Sequence, residues 1–550
     1  MKKTLLLFIA LVLVVSPVLF AGGRSASQAS VQKAVLTPNG QFPLTTTKAQ
    51  LSAVSIDASW QNNLNNNKVT AWYESKTNVH VNWTVLNHQT IRDELNLLIA
   101  AGEYPDLIIY GGLSAAEIFS YGTQGLFLPL EDLYEKYGYY AKRAYDRIDS
   151  LPGALVQTDG HIYALGSINE CFHCMYMDKL WINQKWLTTL GLAAPTTTEE
   201  FYNVLKAFKT RDPNGNGKAD ELPLVGAVNI GDGFNFILSA FMYWGQDYMS
   251  LNNGRVVFNP VQDDFKEGML YIRRLVSEGL LDPVTFTQDG DQLKALATQD
   301  TQLVGSFPGF YFANALNQWQ DTPDHRVLDY PALSPLKGPK GIQWTRYTNT
   351  GYNTTQVIIT DHCKDPDLAF RWIDGLYEDE VTLIMGHGME GDGWVKPASG
   401  AVGINGKPAI YDTPRRGLEN PLMDFADNVL NLNNTADVRL GQVLNTSDPM
   451  AQYDAEPWLY INTRDHMEPY ADQSKQLPLV INFTEAENTE LAILFEQLET
   501  YMKEAMVAFA TGIRDINRDW DSFKADLARI NYSRYIQLYQ TAYDRQYGRR

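Results

Sequence analysis

Cysteine is nearly absent, with three residues in 550, at positions 171, 174 and 363. Three thiols cannot staple a chain of this length, so disulfides do not hold the fold together. Cys171 and Cys174 form a lone C-x-x-C. The second ligand pair that a zinc site needs is missing, which leaves a local disulfide, a redox motif or two buried thiols. Positive charge is also scarce. Lys and Arg total 45 against 64 acidic residues, for a formal charge of −19. That argues against nucleic acid and anionic lipid as partners, and it disfavours a strongly anionic ligand unless a basic cleft is built locally. The eight histidines do not cluster at metal-ligand spacing. No G-x-S-x-G elbow, P-loop or H-E-x-x-H occurs. Residues 386–391 match G-x-G-x-x-G, but a helical pattern precedes them and a Gly/Pro-rich stretch follows, so a dinucleotide site is not expected. Long apolar runs are confined to Leu5–Phe20. Behind Lys2 and Lys3, and ahead of Ala21, Gly22 and Gly23, that run reads as a cleaved signal peptide over residues 1–21. An uncleaved anchor is the alternative, although the run is short for a span. No cysteine follows the small residues, so a lipid anchor is not expected, and the mature chain is placed in the periplasm or outside the cell.

What the chain does have is apolar and aromatic material. Hydrophobic residues make up 45% and aromatics 12%, enough for a large core shared by two or three domains. Residues 22–48 read as a flexible linker. Beyond them the pattern is α/β, with strands over Leu51–Ile56, Val79–Val85 and Leu107–Tyr110 and helical spacing over Ile91–Ala101. A polar helix is expected to carry Trp60 and Leu64. Thr198 is read as the cap of a helix through Phe208. The C-terminal end is the clearest: Thr484 with Glu487 forms a capping box, apolar residues then repeat at three and four, and Gly512 stops the helix. Two shorter helices follow.

The sharpest local motif is Asp212-Pro-Asn214-Gly-Asn216-Gly-Lys218-Ala-Asp220-Glu221. Side-chain oxygens fall at positions 1, 3, 5 and 9 of a calcium loop, and Lys218 offers its carbonyl at position 7. Pro223 takes the place of the usual closing glutamate, and Glu221 can substitute for it. The expected ligands are therefore Asp212, Asn214, Asn216, Lys218, Asp220 and Glu221, around a structural Ca²⁺. The alternative is a plain Asn-Gly turn.

Aromatic rings beside Gly, Asn or Asp suit the C–H faces of sugars, and carboxylates suit the hydroxyls. On this basis Trp244, Trp344 and Trp394 are the expected stacking platforms, with Glu170 and Glu390 as hydroxyl partners. Tyr110 ends a strand, where ligands of parallel sheets collect. Any one of these rings could equally be core.

Several stretches carry a family resemblance in combination and in order. They are Asn96-Leu-Leu-Ile-Ala-Ala-Gly-Glu-Tyr-Pro105-Asp106, Leu180-Trp-Ile-Asn183, Pro195-Thr-Thr-Thr-Glu199-Glu200-Phe201, the calcium loop with Leu222-Pro223-Leu224, Gly388-Met-Glu-Gly391, and Tyr539-Gln-Thr-Ala-Tyr-Asp-Arg545. The chain resembles the long solute-binding proteins of sugar ABC importers, in the branch with lipoprotein-like and alginate-oligosaccharide receptors. The resemblance implies an α/β, two-lobed periplasmic-binding-protein fold of type II, with hinge crossings and C-terminal helices. It also implies calcium at the Asp212 loop. The lobes are expected over 49–165 with 346–395, and over 166–345 with 396–550. The expected partners are an oligosaccharide and the permease subunits of an ABC importer, bound by a monomer without chemistry. A secreted glycan-degrading enzyme and a purely structural surface protein are the competing classes. Turnover of a glycan would favour the first, and failure to bind any small solute the second.

Overall fold

Successive side chains of a strand point to opposite faces, and the short strands of this chain use both. The computed structural model describes residues 33–57, 62–88, 90–228, 230–231, 233–317, 326–348, 350–413, 424–426, 429–444 and 455–548. Its strands are β1 (Ala49–Asp57), β2 (Val79–Asn87), β3 (Leu107–Ile109), β4 (Leu165–Asn169), β5 (Leu180–Ile182), β6 (Met249–Asn252), β7 (Arg255–Phe258), β8 (Ser306–Pro308), β9 (Ala332–Leu333), β10 (Tyr352–Ile359) and β11 (Asn433–Asn434). In β3, Leu107 and Ile109 enter one core and Ile108 another; in β10, Val357 and Ile359 join the first and Ile358 the second. Both faces of their sheet are covered, as parallel strands require. That sheet runs β11-β4-β10-β3-β1-β2. β1 lies parallel to β2 and β3, and β10 is antiparallel to β3 and β4.

The second sheet, β8-β5-β9, repeats the device. Leu180 and Ile182 of β5 face a core shared with the C-terminal helices, and Trp181 faces a separate core with Phe307, Phe312 and Tyr330. Each sheet is the centre of one α/β lobe. Residues 170–179 carry the chain out of the first lobe, between β4 and β5, and residues 334–351 bring it back, between β9 and β10. After β11 the chain goes out again to the helix Ala455–His466, whose Leu459 packs with Trp181. The outgoing and returning crossings attach at the same end of the first sheet, where β11 also ends. Ile168 pairs with Tyr352 on antiparallel β10, and Asn169 with Asn434 on parallel β11.

The capped helices stand close to where the sequence puts them. Thr484 and Glu487 make the reciprocal capping box of Glu485–Thr511, and Gly512 ends that helix at φ 78°. Helices Ile516–Arg529 and Tyr532–Tyr547 follow. Other expectations are corrected. The cap of Thr198–Thr210 is Thr197, one residue earlier, paired with Glu200. Leu64 opens only a 3-10 turn, and the helix begins at Lys68. Trp60 and the leader lie outside the described residues. Gly388 caps the helix Asp379–His387, so the G-x-G-x-x-G stretch lacks the following helix that a dinucleotide site needs. The boundary at 395 also fails, because Tyr411, Val429, Leu430 and Leu432 pack in the first lobe's core and β11 extends its sheet.

The linker reading fails over 34–48. Leu44 is 2% exposed and sits in the first lobe's core. The Arg371 guanidinium donates to the carbonyls of Thr37 and Pro38, and the Ala34 N–H donates to Asp365. Polar composition concealed one buried leucine and a set of backbone acceptors. Leu44→Ala is therefore expected to cost about 2–5 kcal/mol in a denaturant titration. In a true linker the same change would stay within about 0.5 kcal/mol.

Candidate functional site

The two long crossings meet at a cleft of about 180 Å³, lined by Met177, Asp178 and Lys179 from the outgoing segment and Arg346 from the returning one. Gly231, Gly233 and Asn235 line it as well, together with Gly309 and Phe310 at the end of β8. Each wall has a local anchor. Asp178 and Lys179 immediately precede β5, whose Trp181 ring is buried and donates through Nε1 to the Gly309 carbonyl at 2.8 Å. The Gly309 N–H in turn donates to the Lys179 carbonyl at 3.0 Å. A Cβ at Gly309 would stand 3.3 Å from Ile230 and 3.7 Å from the Asn314 side-chain oxygen, so glycine keeps this wall thin. The Asn314 Oδ1 atom behind it is buried without a hydrogen-bond partner.

Charge in the cleft is concentrated in one ion pair. Arg346 Nε lies 2.9 Å from Asp178 Oδ2, and Nη2 lies 3.1 Å from Oδ1. This fork geometry fixes both side chains. Their side chains are only 17% and 7% exposed, so the pair is shielded from salt and water far better than a surface bridge. Asn235 donates to Asp178 Oδ1 at 3.1 Å and accepts from Trp244 Nε1 at 2.8 Å. The Lys179 ammonium points away into the protein, donating to the carbonyls of His173 and Tyr176. Burial lowers its pKa to about 7 against the opposing pull of Asp178. Aromatics continue beside the outgoing segment, with Phe172, Tyr347 and Tyr460 half-buried and Tyr176 buried. Phe172 packs on Tyr460 and Tyr176, and Tyr176 packs on Tyr347. The turn carrying Phe172 is closed by a Cys171–Cys174 disulfide. That resolves the C-x-x-C and leaves neither sulfur as a thiolate ligand; Cys363 is free and buried.

The sequence-derived site residues do not assemble here. Trp244 is 2% exposed and stacks on Phe265. Trp344 is equally buried, donates to the Asp472 carbonyl at 3.2 Å and meets Tyr243 edge-on. Trp394 is 7% exposed and donates to the Gly388 carbonyl. None offers a free ring face. Glu170 accepts from the Ala436 N–H at 2.9 Å, beside the hinge. Glu390 is exposed and 3.5 Å from Lys396. Tyr110 holds φ 56° and donates its N–H to the Gln356 carbonyl. Sequence reasoning missed Asp178, Arg346 and Asn235. The available signal was an Asp-Lys pair directly before a strand and an Arg-Tyr pair inside the return crossing. Trp244 and Trp344 matter as anchors, since one holds Asn235 and the other fixes the return crossing two residues before Arg346. Trp244→Ala and Trp344→Ala are each expected to cost about 3–5 kcal/mol in a denaturant titration, as buried rings do. Unchanged stability in both variants would instead mean exposed rings.

The Asp212 loop lies in the second lobe. Asp212 accepts from the N–H groups of Asn216 and Gly217 at 3.1 and 3.0 Å. Gly215 and Gly217 hold φ 70° and 73°, which permits the tight turn. The amide nitrogens of Asn214 and Asn216 reach Asp220 at 3.3 and 3.0 Å. Glu221 is 7% exposed, and both of its carboxylate oxygens are buried without a hydrogen-bond partner. Burial raises its pKa, and the nearby Asp212 and Asp220 charges push the same way. Orphaned, mutually repelling oxygens fit a hard cation, and rotation of the two asparagine amides would present two more.

The chain matches the model of the bacterial extracellular solute-binding proteins over residues 51–382. It is 29% identical over 496 residues to the fructooligosaccharide ABC transporter substrate-binding protein FusA of Streptococcus pneumoniae, covering 86% of this chain and 85% of that one. An EF-hand mutant of that protein in complex with fructo-nystose superposes with a TM-score of 0.73 at 26% identity, over 90% of this chain and 99% of the other. The alginate-binding protein AlgQ2 without calcium ion shares the fold, with a TM-score of 0.68 at 22% identity over 92% of this chain and 100% of the other. Two α/β lobes and a polar cleft beside the segments that join them are thus matched by similarity across most of the chain: this protein belongs to the bacterial extracellular solute-binding protein family.

Proposed function

We propose that this protein is the extracytoplasmic receptor of an ABC importer, which captures an oligosaccharide between its lobes and presents it to the permease subunits. The observation that carries this reading is the cleft at the crossings. A buried Asp–Arg fork, an amide and glycine backbone there offer donors and acceptors beside the apolar surfaces of Met177 and Phe310, the mixture that sugar rings and hydroxyls need. Relatives named for oligosaccharide binding support it. In this reading the first lobe comprises residues 34–169 with 352–434, the second comprises 180–333 with 455–548, and the receptor works as a monomer. It binds without turnover, because Asp178, the carboxylate lining the cleft, is committed to Arg346 and Asn235. Titration of intrinsic fluorescence with a panel of oligosaccharides is expected to give saturable binding to at least one of them, which is recovered intact. Cleavage of the bound sugar would overturn the reading.

We further infer that Asp212, Asn214, Asn216, the Lys218 carbonyl, Asp220 and Glu221 hold one structural Ca²⁺. A cation bound only by the folded chain stabilises it by about 2.7 kcal/mol at a hundredfold excess over Kd. Chelator is expected to lower Tm, and Asp212→Ala to abolish that difference. An identical melting curve with and without chelator, together with metal-free elemental analysis, would refute the site.

A further inference from the structure

The receptor reading leaves open what kind of oligosaccharide the cleft admits, and the disposition of charge there decides it. The whole chain carries a formal −19, so a negatively charged ligand needs a local cluster of available cations. Among the described residues lining the cleft, the two cations, Lys179 and Arg346, are already engaged. Arg346 is forked to Asp178. The Lys179 ammonium is spent on two backbone carbonyls inside the protein. Arg439, beyond β11, pairs with Glu456 and donates to Asn169. Acids stand near the same segments: Glu170 acts on Tyr347 and Glu468 on Tyr176, each raising the hydroxyl pKa after burial has done so.

We propose, resting on the receptor reading above, that the cleft is specific for uncharged oligosaccharides and rejects uronic-acid oligomers. A sugar carboxylate entering at Asp178 would lose its hydration shell and meet a guanidinium that another carboxylate already neutralises. Hydroxyls suit what is left. The Arg346 fork uses Nε and Nη2, so Nη1 still has hydrogens to donate; Asp178 Oδ1 is filled by Arg346 and Asn235, while Oδ2 accepts only from Nε and keeps a lone pair. The Asp178–Arg346 pair is thus the specificity element, reading hydroxyls from both of its ends while holding the local charge at zero.

Isothermal titration of the full chain tests this with two sets of ligands matched in length. The neutral set comprises fructo-, malto- and xylo-oligosaccharides, and the anionic set galacturonate and mannuronate oligomers. At least one neutral ligand is expected to bind, and every uronate to bind roughly a hundredfold more weakly or not at all, at low and high salt alike. Asp178→Asn should invert this order. It leaves Arg346 without its carboxylate, so neutral binding should weaken and salt-sensitive uronate binding should appear. Uronate binding to the parent that matches or exceeds neutral binding, and weakens as salt rises, would overturn the proposal while leaving the receptor function intact. Should the variant fail to fold, the parent comparison alone decides. If the parent binds no sugar of either set, the receptor reading falls and this inference with it.

Discussion

The fork between Asp178 and Arg346 joins the outgoing crossing to the returning one, and the arrangement of the cleft follows from it. The two residues are 168 positions apart in sequence and meet because β5 and β10 are each fixed in a sheet whose two faces are covered. From Asp178 the polar contacts run through Asn235 to the Trp244 indole, and the Trp244 ring lies on Phe265. Phe265 in turn stacks on Phe523 of the C-terminal helices. A charged pair with little solvent around it is costly to assemble unless its geometry is held. Here it is held by rings packed in the second lobe's largest core.

That dependence explains why the helices at the C-terminal end belong to the receptor. Leu498, Met502 and Phe509 of Glu485–Thr511 share a core with Leu180 and Ile182 of β5. The strand that presents Asp178 and Lys179 is therefore backed by helices formed from the last part of the sequence. The cleft is a surface feature whose rigidity comes from deep packing on its far side.

The parts legible in the sequence are those governed by short-range rules. A threonine and a glutamate three apart capped a helix, a glycine ended it, and alternate oxygen side chains with glycines between them formed the Asp212 loop. The cleft-lining residues were not legible, because residue type does not report exposure. Tryptophans beside glycines and asparagines suggested platforms, yet all three chosen rings are buried with their indole N–H groups satisfied. The residues that do line the cleft carry no local motif, and only the tertiary fold brings an Asp-Lys pair and an Arg-Tyr pair together. Residues 34–48 misled in the other direction, since a single leucine among polar neighbours is enough to dock a segment that composition marks as loose.

The outgoing and returning crossings attach to the first sheet at β4 and β10, which are adjacent strands. Neighbouring strands lie about 4.8 Å apart, so the two attachment points are separated by a single strand spacing. The Asp178–Arg346 fork ties the outgoing segment to the returning one, so neither strand of this connection can shift without carrying the other with it.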